Sequence, residues 1–537
     1  MIDPRGVRHE FTYNEVDWLV EQRFAVSHSS DGAQPLSYRT QVLHDANGNV
    51  VELRKPFGVL GDTVTREWFT YGPLDEPIRI EREISLGETA VGIFAYDPNR
   101  NLIGVTNPEG ELTEIDYDER DLAIQIERGR PGLDPPIAET FAYDEEGRLR
   151  ATTDAEGGTW ELTYDGYQRP MAWLDPLDRQ VRRSYDDAGN PLSEARFDAS
   201  GCLVALSTAT YDLQGRRTAA TDHLWSYDPP PVPCEELPPT ARALTTRFTY
   251  NTAGEVVQVT DPLDRATELA YDGARRLRSV LDPEGNETVY ELDAAGNPVR
   301  EEVIEALPGG GTSSVETFHD YDALNRRIAT RDALANEWRQ IVDARGLVRV
   351  AVDPEGFVTE VAYDGLDRAT SLTLPGDVRV EVEYDRASRP VVYRDALGNE
   401  TTSAYDDLGR VTAVTYADGT SESWQYDGAD NPVGHTDALG TVVAQSFDLA
   451  RRLTGRQVTP AAGVEGPTAE SFGYDALDRM IAATSGGVAA GWQYDSVGRL
   501  LAETRADRTV AYAHDDAGAE TGLGYPSGRV LGRLLDG

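Results

Sequence analysis

Lysine is nearly absent from this chain. Lys55 is the single lysine, and arginine carries the rest of the positive charge. Acidic residues outnumber basic residues by 93 to 50, which gives a formal net charge of −43 at pH 7. This balance argues against nucleic-acid binding and against attachment to an anionic membrane surface through a basic patch. It favours solubility but does not select a fold.

Long apolar segments are also absent. No run of 18 apolar residues occurs, so the sequence predicts no transmembrane helix. The segment 1–15 has no apolar signal-peptide core and reads like the middle of a repeat unit. We therefore expect either a fragment of a longer protein or a missing upstream segment that carries export information.

Cysteine and histidine are too few and too scattered for a metal site or a disulfide framework. The chain has two cysteines, Cys202 and Cys234, for which we expect free thiols, with one disulfide as the alternative. No two of the seven histidines have the i, i+4 spacing of a zinc site.

One segment, "DANGNV" at 45–50, has the spacing of a calcium loop but not its ligands. Position six of that loop requires glycine and is Val50, and position twelve requires glutamate and is Pro56. We interpret the segment as a hairpin turn. Nucleophile elbows and phosphate-binding loops do not occur either, so the sequence predicts no catalytic residue, no metal and no cofactor.

What the chain has in abundance is one repeated phrase. "YDDLGRVTAV" at 405–414 returns as "YDEEGRLRAT" at 143 and as "YDSVGRLLAE" at 494. Successive Tyr-Asp steps most often lie 21 positions apart in the chain. We take as the structural signature of the repeat Tyr143, Asp144, Tyr164, Asp165, Tyr271, Asp272, Tyr363, Asp364, Tyr384, Asp385, Tyr405, Asp406, Tyr426, Asp427, Tyr474, Asp475, Tyr494 and Asp495.

A second marker lies eleven positions after the first residue of a step, as Asp395 does after Tyr384, and it opens turns such as "DPEG" and "DALG". Between the two markers lie short runs rich in Thr, Val, Leu and Tyr, which are typical of strands joined by tight turns. No helical period persists between the Gly and Pro residues. The unit is therefore a β-hairpin, stable only when stacked on its neighbours. The second marker is Asp154, Asp175, Asp261, Asp282, Asp332, Asp353, Asp395 and Asp437.

The repeat divides the chain into two regions. Residues 1–95 are predicted to be divergent repeats, and residues 96–537 regular repeats. Insertions into the regular repeats are predicted to be loops, and the proline-rich one cannot run inside a sheet. The predicted loops lie near 128–139, 223–240, 305–314 and 459–468.

The repeated phrases resemble those of the RHS/YD-repeat family, which includes bacterial Rhs toxin shells, insecticidal toxin complex C components, wall-associated proteins and teneurins. "YDALDRMIAAT" and "DPEGNETVYELDAAGNPV" carry the same resemblance, in register over at least 96–515. It implies an all-β fold in which repeated hairpins form a spiralling β-strip, which wraps into a hollow shell. In the toxin members that shell encloses a C-terminal toxin, which self-cleavage releases. No segment matching the cleavage site is visible, so we assign self-cleavage to no residue of this sequence.

The number of repeats limits the size of such a shell. About 20 units of two strands, at about 4.8 Å per strand, give a strip on the order of 190 Å long. Wound in two turns, the strip would form a ring about 30 Å across. We therefore expect an open or partial shell.

Two non-enzymatic functions follow from the resemblance and the composition. The first is a scaffold, part of a shell that encapsulates a toxin-type polypeptide for export or delivery, with that cargo and further RHS core segments as partners. The alternative is a cell-envelope or extracellular adhesion protein that binds glycans through its loops and aromatic residues. Either function places the protein outside a bacterial cell or at its surface, and an enzyme has no supporting residue pattern.

Overall fold

Regular structure in the described part of this protein is entirely β. The computed structural model describes residues 1–4, 8–26, 36–58, 63–129, 137–225, 236–238, 240–307 and 309–532. These ranges contain 45 strands and no helix, so the predicted all-β class is confirmed. Within the same ranges there is also no helix long and apolar enough to cross a membrane.

The strands are short and evenly spaced. Most have five to nine residues, and Tyr-Asp hairpins recur most often with the predicted period. The strands are β1 (His9–Tyr13), β2 (Leu19–Val26), β3 (Leu36–His44), β4 (Val50–Phe57), β5 (Thr63–Tyr71), β6 (Pro77–Ser85), β7 (Glu88–Tyr96), β8 (Leu102–Thr106), β9 (Leu112–Tyr117), β10 (Ala123–Gly129), β11 (Ile137–Tyr143), β12 (Leu149–Thr153), β13 (Thr159–Tyr164), β14 (Pro170–Leu174), β15 (Gln180–Tyr185), β16 (Pro191–Phe197), β17 (Leu203–Tyr211), β18 (Arg217–Leu224), β19 (Arg242–Tyr250), β20 (Val256–Thr260), β21 (Ala266–Tyr271), β22 (Leu277–Leu281), β23 (Glu287–Leu292), β24 (Pro298–Ala306), β25 (Thr312–Tyr321), β26 (Arg327–Arg331), β27 (Glu337–Val342), β28 (Val348–Val352), β29 (Val358–Tyr363), β30 (Ala369–Leu374), β31 (Val378–Tyr384), β32 (Pro390–Arg394), β33 (Glu400–Tyr405), β34 (Val411–Thr415), β35 (Ser421–Tyr426), β36 (Pro432–Thr436), β37 (Val442–Phe447), β38 (Leu453–Thr459), β39 (Ala469–Tyr474), β40 (Met480–Ser485), β41 (Val488–Tyr494), β42 (Leu500–Arg505), β43 (Arg508–His514), β44 (Glu520–Gly524) and β45 (Val530–Gly532).

All 45 strands belong to one antiparallel sheet in which each strand pairs with the next in the chain. The sheet is a continuous strip with two long edges formed by the turns. One edge carries the Tyr-Asp turns, which follow the odd-numbered strands and are called the Tyr-Asp edge below. The other carries the turns opened by the second marker, which follow the even-numbered strands and are called the marker edge.

The same turn geometry recurs on both edges. At the turn after β33, Asp406 Oδ1 accepts the backbone N–H groups of Leu408 and Arg410 at 3.0 and 2.9 Å. Gly409 has a φ of 79°, in the left-handed region that closes a three-residue hairpin loop with a bulge. Aspartate therefore stabilises the turn through its own neighbouring backbone, and the residue three positions later must tolerate a positive φ.

The two faces of the strip differ in chemistry. In β29, Thr359, Val361 and Tyr363 lie on one face, and Val358, Glu360 and Ala362 lie on the other. The first face carries the tyrosines of the Tyr-Asp steps and is called the aromatic face. The second carries many small or charged residues.

The strip is a single layer. In the described ranges, substantial contact between strands is confined to hydrogen-bonded neighbours, so no second sheet covers either face. The solvent-accessible surface area of the chain is 30695 Å², whereas that of a compact protein of 58.8 kDa is about 19,000 Å². Such a large surface is that of a thin wall and not of a globule.

The wall is wound into a spiral of just under two turns. Contacts join the hairpin turn after β6 to the hairpin turn after β29, and the hairpin turn after β12 to the one after β37. The hairpins in contact are therefore 23 to 25 strands apart along the strip. At about 4.8 Å per strand, one turn of about 24 strands measures about 115 Å around and about 37 Å across. The predicted unclosed, hollow strip is confirmed.

The predicted insertions differ in structure. The loop near 459–468 lies between β38 and β39. Half of the segment 305–314 is strand, because β24 ends at Ala306 and β25 begins at Thr312. Much of the loops near 128–139 and 223–240 lies outside the described residues. Residues 1–95 supply β1 to β6 and all but the last residue of β7 in the same sheet.

Candidate functional site: the Tyr-Asp edge and the seam

The aspartate of each Tyr-Asp turn is held by the residue four positions later. Asp406 Oδ2 accepts the guanidinium Nε of Arg410 at 2.8 Å, in addition to the backbone contacts at Oδ1. In the equivalent turn after β21, hydrogen bonds from Arg276 lower the pKa of Asp272. The backbone N–H of Arg276 has the largest effect, and its guanidinium has the next largest. Hydrogen bonds to the ionised carboxylate thus contribute to turn stability at neutral pH.

In most steps that have a tyrosine, its hydroxyl joins the hairpin to the preceding one. The hydroxyl of Tyr405 donates to the carbonyl of Pro390, the first residue of β32, at 2.7 Å. Further tyrosines donate to the first residue of the preceding even-numbered strand in the same way, which satisfies a carbonyl at the edge of the sheet. They are Tyr71, Tyr117, Tyr143, Tyr164, Tyr185, Tyr211, Tyr250, Tyr271, Tyr363, Tyr384, Tyr426 and Tyr474.

The arginine of the turn bridges in the opposite direction. Arg389 belongs to the turn after β31, and its guanidinium lies 4.9 Å from the ring centroid of Tyr405 in the next unit. Arg410 donates from Nη1 to the carbonyl of Asp427, again in the next unit, at 2.9 Å. Arg410 also lies 4.7 Å from the ring centroid of Tyr426 and so combines a cation–π contact with two hydrogen bonds, an arrangement that suits a planar guanidinium.

The structure places all nine predicted signature tyrosines at the last residue of an odd-numbered strand, with the signature aspartates next to them. Tyr494 has no such hydroxyl contact in the described part of the chain, but Arg479 lies over its ring at 4.8 Å. The signature residues form one row along the Tyr-Asp edge. They contact each other and the backbone, and the row contains no arrangement of nucleophile, base and acid.

Sequence reasoning missed two glutamines that replace the tyrosine contact. Where the step has Phe447 and not tyrosine, Gln445 Nε2 donates to the carbonyl of Pro432 at 2.6 Å. Where it has Val342, Gln340 donates to the carbonyl of Arg327. Each glutamine lies two residues before the missing tyrosine, on the same face, and reaches the carbonyl that a tyrosine would reach. The pattern of glutamine at −2 with an apolar residue at the tyrosine position was visible in the sequence.

The two turns of the spiral meet along a seam. The marker edge of the first turn of the spiral docks on the Tyr-Asp edge of the second turn of the spiral. The contacts include backbone hydrogen bonds, such as Gly365 N to Ile84 O at 2.7 Å and Ser496 N to Trp225 O at 3.1 Å. Among the described residues, five ion pairs also cross the seam, namely Arg128–Asp430, Arg179–Asp478, Arg242–Asp516, Arg389–Glu111 and Arg451–Asp154.

The most deeply buried side chains of the described ranges lie in this seam. Tyr38, Asp322, Asp343 and Asp495 are each at most 1% exposed. Asp343 pairs with Arg349 at 2.7 Å, and burial raises the pKa of the Tyr38 hydroxyl, which hydrogen-bonds Arg326 of the second turn. The seam, and not a layer between sheets, is therefore the core of this wall.

Two glycines allow the edges to approach closely. A Cβ atom on Gly365 would lie 2.2 Å from the carbonyl oxygen of Glu83, and one on Gly428 would lie 2.9 Å from the Cβ of Ala155. Neither glycine has a positive φ. Glycine is required at these positions by the neighbouring turn of the spiral and not by the local backbone.

The remaining sequence candidates have structural roles. Asp45 Oδ1 accepts the backbone N–H groups of Asn47 and Asn49, so "DANGNV" is the hairpin turn between β3 and β4. Cys202 is disulfide-bonded, which corrects the expectation of a free thiol. The sequence offers Cys234 as its partner within the chain, and that residue lies outside the described ranges. Among the residues that the structure describes, no group of His, Cys, Asp and Glu is arranged to hold a metal ion.

A spiralling single-layer strip of repeated hairpins, sealed edge to edge, defines a class of β-shell repeat proteins. The family model described as RHS Repeat matches residues 143–172, 250–287 and 384–421. A curated relative, "Probable deoxyribonuclease RhsB" of Dickeya dadantii, is 26% identical over 274 residues, covering 43% of this chain and 19% of the relative. Both matches support the resemblance to the RHS/YD-repeat family that the repeated phrases indicate.

Solved structures show the same fold. The crystal structures of TcdB2-TccC3-TEV and of TcdB2-TccC3-Cdc42 each match with a TM-score of 0.62 at 13% identity. In both, the match covers 94% of this chain and 32% of the solved chain. The chain thus spans about a third of those structures and about a fifth of the curated relative.

Proposed function

We propose that this protein is a non-enzymatic scaffold, a part of an RHS shell that encapsulates a toxin-type polypeptide for export or delivery. The observation that carries the proposal is the seam, because docking of successive turns converts a ribbon into a continuous wall. A wall of one layer leaves its aromatic face available to a second polypeptide. The partners are that cargo and further RHS segments, and the site of action is outside a bacterial cell or at its surface.

The solved relatives support a role in toxin assemblies only by analogy of fold, since they are 13% identical. The relative named as a probable deoxyribonuclease is matched over 19% of its length. Neither match assigns a reaction to a residue of this chain. The scaffold role rests instead on the seam, and the contacts of the signature residues, which are all made within the wall, agree with it.

Limited proteolysis of the product of the intact gene tests encapsulation. We expect proteinase K to leave a protected segment from outside the strip that co-purifies with it, identified by mass spectrometry. A seam variant, Gly365→Ala with Gly428→Ala, should make that segment digestible, whereas Gly166→Ala should not. Digestion of everything outside the strip in the parent protein would refute encapsulation.

An adhesion protein that binds glycans is the second candidate, and one groove favours it. On the aromatic face, the Trp424 ring stacks on His435 with centroids 5.0 Å apart and planes at 24°. These rings line a groove of about 340 Å³ together with Gln445 and Arg456. A glycan array that binds the parent protein but not Trp424→Ala would support adhesion, and a blank array for both proteins would reject it.

A further inference from the structure

A pair of side chains occurs twice on the marker edge, once in the seam and once on the free edge of the second turn. Of the eight aspartates of the second marker, two are followed six residues later by tryptophan. They form the pairs Asp154 with Trp160 and Asp332 with Trp338. In both, the aspartate opens the turn and the tryptophan is the second residue of the strand that follows, β13 or β27.

In the seam, the first pair binds an arginine. Asp154 Oδ2 accepts Nε and Nη2 of Arg451 at 3.2 and 3.0 Å. The same guanidinium lies 5.6 Å from the ring centroid of Trp160. Arg451 is the fourth residue of the Tyr-Asp turn "DLARR" and has a φ of 64°, which directs it out of its own turn. The aspartate and the tryptophan thus act together as a receptor for an arginine from the neighbouring edge.

The second pair is built in the same way but lies on the free edge. Asp332 Oδ1 accepts the backbone N–H groups of Leu334 and Asn336 at 2.9 Å each, so its turn has the same conformation. Trp338 is 46% exposed. It borders a groove of about 560 Å³ that Phe357 and Thr359 also line.

We propose that Asp332 and Trp338 are a docking site for an arginine presented by a Tyr-Asp turn of a partner polypeptide. The inference rests on the proposed function, in which further RHS segments extend the shell, and it names the contact through which such a segment attaches. The free marker edge is continuous along the strip with the edge that binds Arg451. A guanidinium pairs with a carboxylate through two donors while stacking on an indole, which a lysine ammonium does not do.

One difference between the two sites predicts how the second can be improved. Position +4 of the turn is Gly158 in the seam, where a Cβ would lie 2.8 Å from the carbonyl oxygen of Leu449. At the free edge it is Asn336, whose Nδ2 donates to Asp332 Oδ2 at 2.8 Å. Asn336 therefore competes for the carboxylate oxygen and keeps the partner backbone farther away. The variant Asn336→Gly should bind the partner turn more tightly.

A titration with a defined peptide tests the proposal. The probe is a cyclised hairpin with the sequence of residues 442–459, which contains Arg451, added to the full chain. Binding is followed by isothermal calorimetry and by the indole N–H signal of Trp338 in NMR spectra. We expect at least a tenfold loss of affinity for Asp332→Asn and for Trp338→Ala, at least a threefold gain for Asn336→Gly, and loss of binding for a peptide with Arg451→Ala.

The control is Asp395→Asn on the same edge. Asp395 has the same contact from an asparagine at +4 but is followed at +6 by Thr401. Its variant should bind the probe like the parent protein. No binding of the probe to the parent, or equal binding to Trp338→Ala, would overturn the proposal. A failure to detect protected cargo leaves this titration unaffected, so the two hypotheses fail separately.

Discussion

At the scale of the residue, the Tyr-Asp motif is a set of contacts between hairpins. The aspartate holds its own turn, the tyrosine reaches back to the preceding hairpin, and the arginine reaches forward to the next. No unit satisfies these groups alone, so each hairpin depends on its neighbours, as in other repeat proteins. Repetition of the motif along the chain is thus explained by stability, without a repeated binding function.

Tyr405 provides a direct measure of this contact. Tyr405→Phe removes the hydrogen bond to Pro390 and should lower the free energy of unfolding by about 1 kcal/mol. Tyr405→Ala also removes a half-buried ring under Arg389 and should cost about 2–3 kcal/mol. Tyr393→Ala, at a residue 45% exposed on the adjacent strand, is the control and should change stability by less than about 0.5 kcal/mol. Chemical denaturation gives the three values, and equal values for Tyr405→Ala and Tyr393→Ala would contradict the role of the ladder.

The glutamine that substitutes for tyrosine leads to a rescue experiment. Gln445→Ala leaves the carbonyl of Pro432 without its donor and should cost about 1 kcal/mol. Adding Phe447→Tyr should restore most of that loss, because a hydroxyl at the tyrosine position reaches the equivalent carbonyl in other units. Gln425→Ala, on the opposite face, should have little effect. Thermal melts that show no rescue in the double variant would refute the equivalence of the two donors.

At the scale of the element, identical hairpins differ according to the edge they meet. Gly166 and Gly365 occupy the same position in the phrase "YDG". Gly166 has nothing within 4 Å of the position of a Cβ, whereas Gly365 lies against the backbone of the preceding turn of the spiral. The difference comes from winding and not from the hairpin.

Substitution at these two glycines measures the seam. Gly365→Ala should destabilise the protein by about 1–3 kcal/mol, because the added methyl group forces the edges apart. Gly166→Ala should be neutral or slightly stabilising, since its backbone conformation suits alanine. Denaturant unfolding of both variants measures this difference in the free energy of unfolding. Two equally stable variants would mean that the edges do not dock in solution.

Strands, turns and their regular period were predictable from the sequence, because turn residues and alternating side chains act over a few positions. The seam was not. Arg451 and Asp154 are 297 residues apart, and their pairing depends on how many strands make one turn of the spiral. Small twists at each of 45 strands accumulate to set that number. The roles of Gln340 and Gln445 were local and therefore accessible to sequence reasoning.

At the scale of the whole molecule, stability comes from many weak contacts at the two edges of the strip and not from a hydrophobic core between layers. Many turn aspartates have lowered pKa values. Examples are Asp272, because the backbone N–H of Arg276 donates to it, and Asp395, because the side-chain amide of Asn399 does. Each such group contributes little, but the turns repeat along both edges.

The lowered pKa values predict sensitivity to acid. A carboxyl group whose pKa is lower in the folded than in the unfolded state adds stability above its unfolded pKa, near about 3.9, and loses it as the pH falls through the folded value. The melting temperature should therefore be nearly constant from pH 7 to about pH 5 and fall steeply below about pH 4. Melts at a series of pH values check this. A melting temperature that rises in the most acidic samples would contradict the assigned role of the turn aspartates.

Winding of the strip is the central claim, and small-angle X-ray scattering tests it most directly. An unwound strip of 45 strands would be about 210 Å long at about 4.8 Å per strand. Two docked turns, each about 37 Å across, should have a maximum dimension below about 100 Å, with the scattering of a hollow object. A maximum dimension close to that of the unwound strip, measured at low concentration, would show that the seam does not form and would contradict the account.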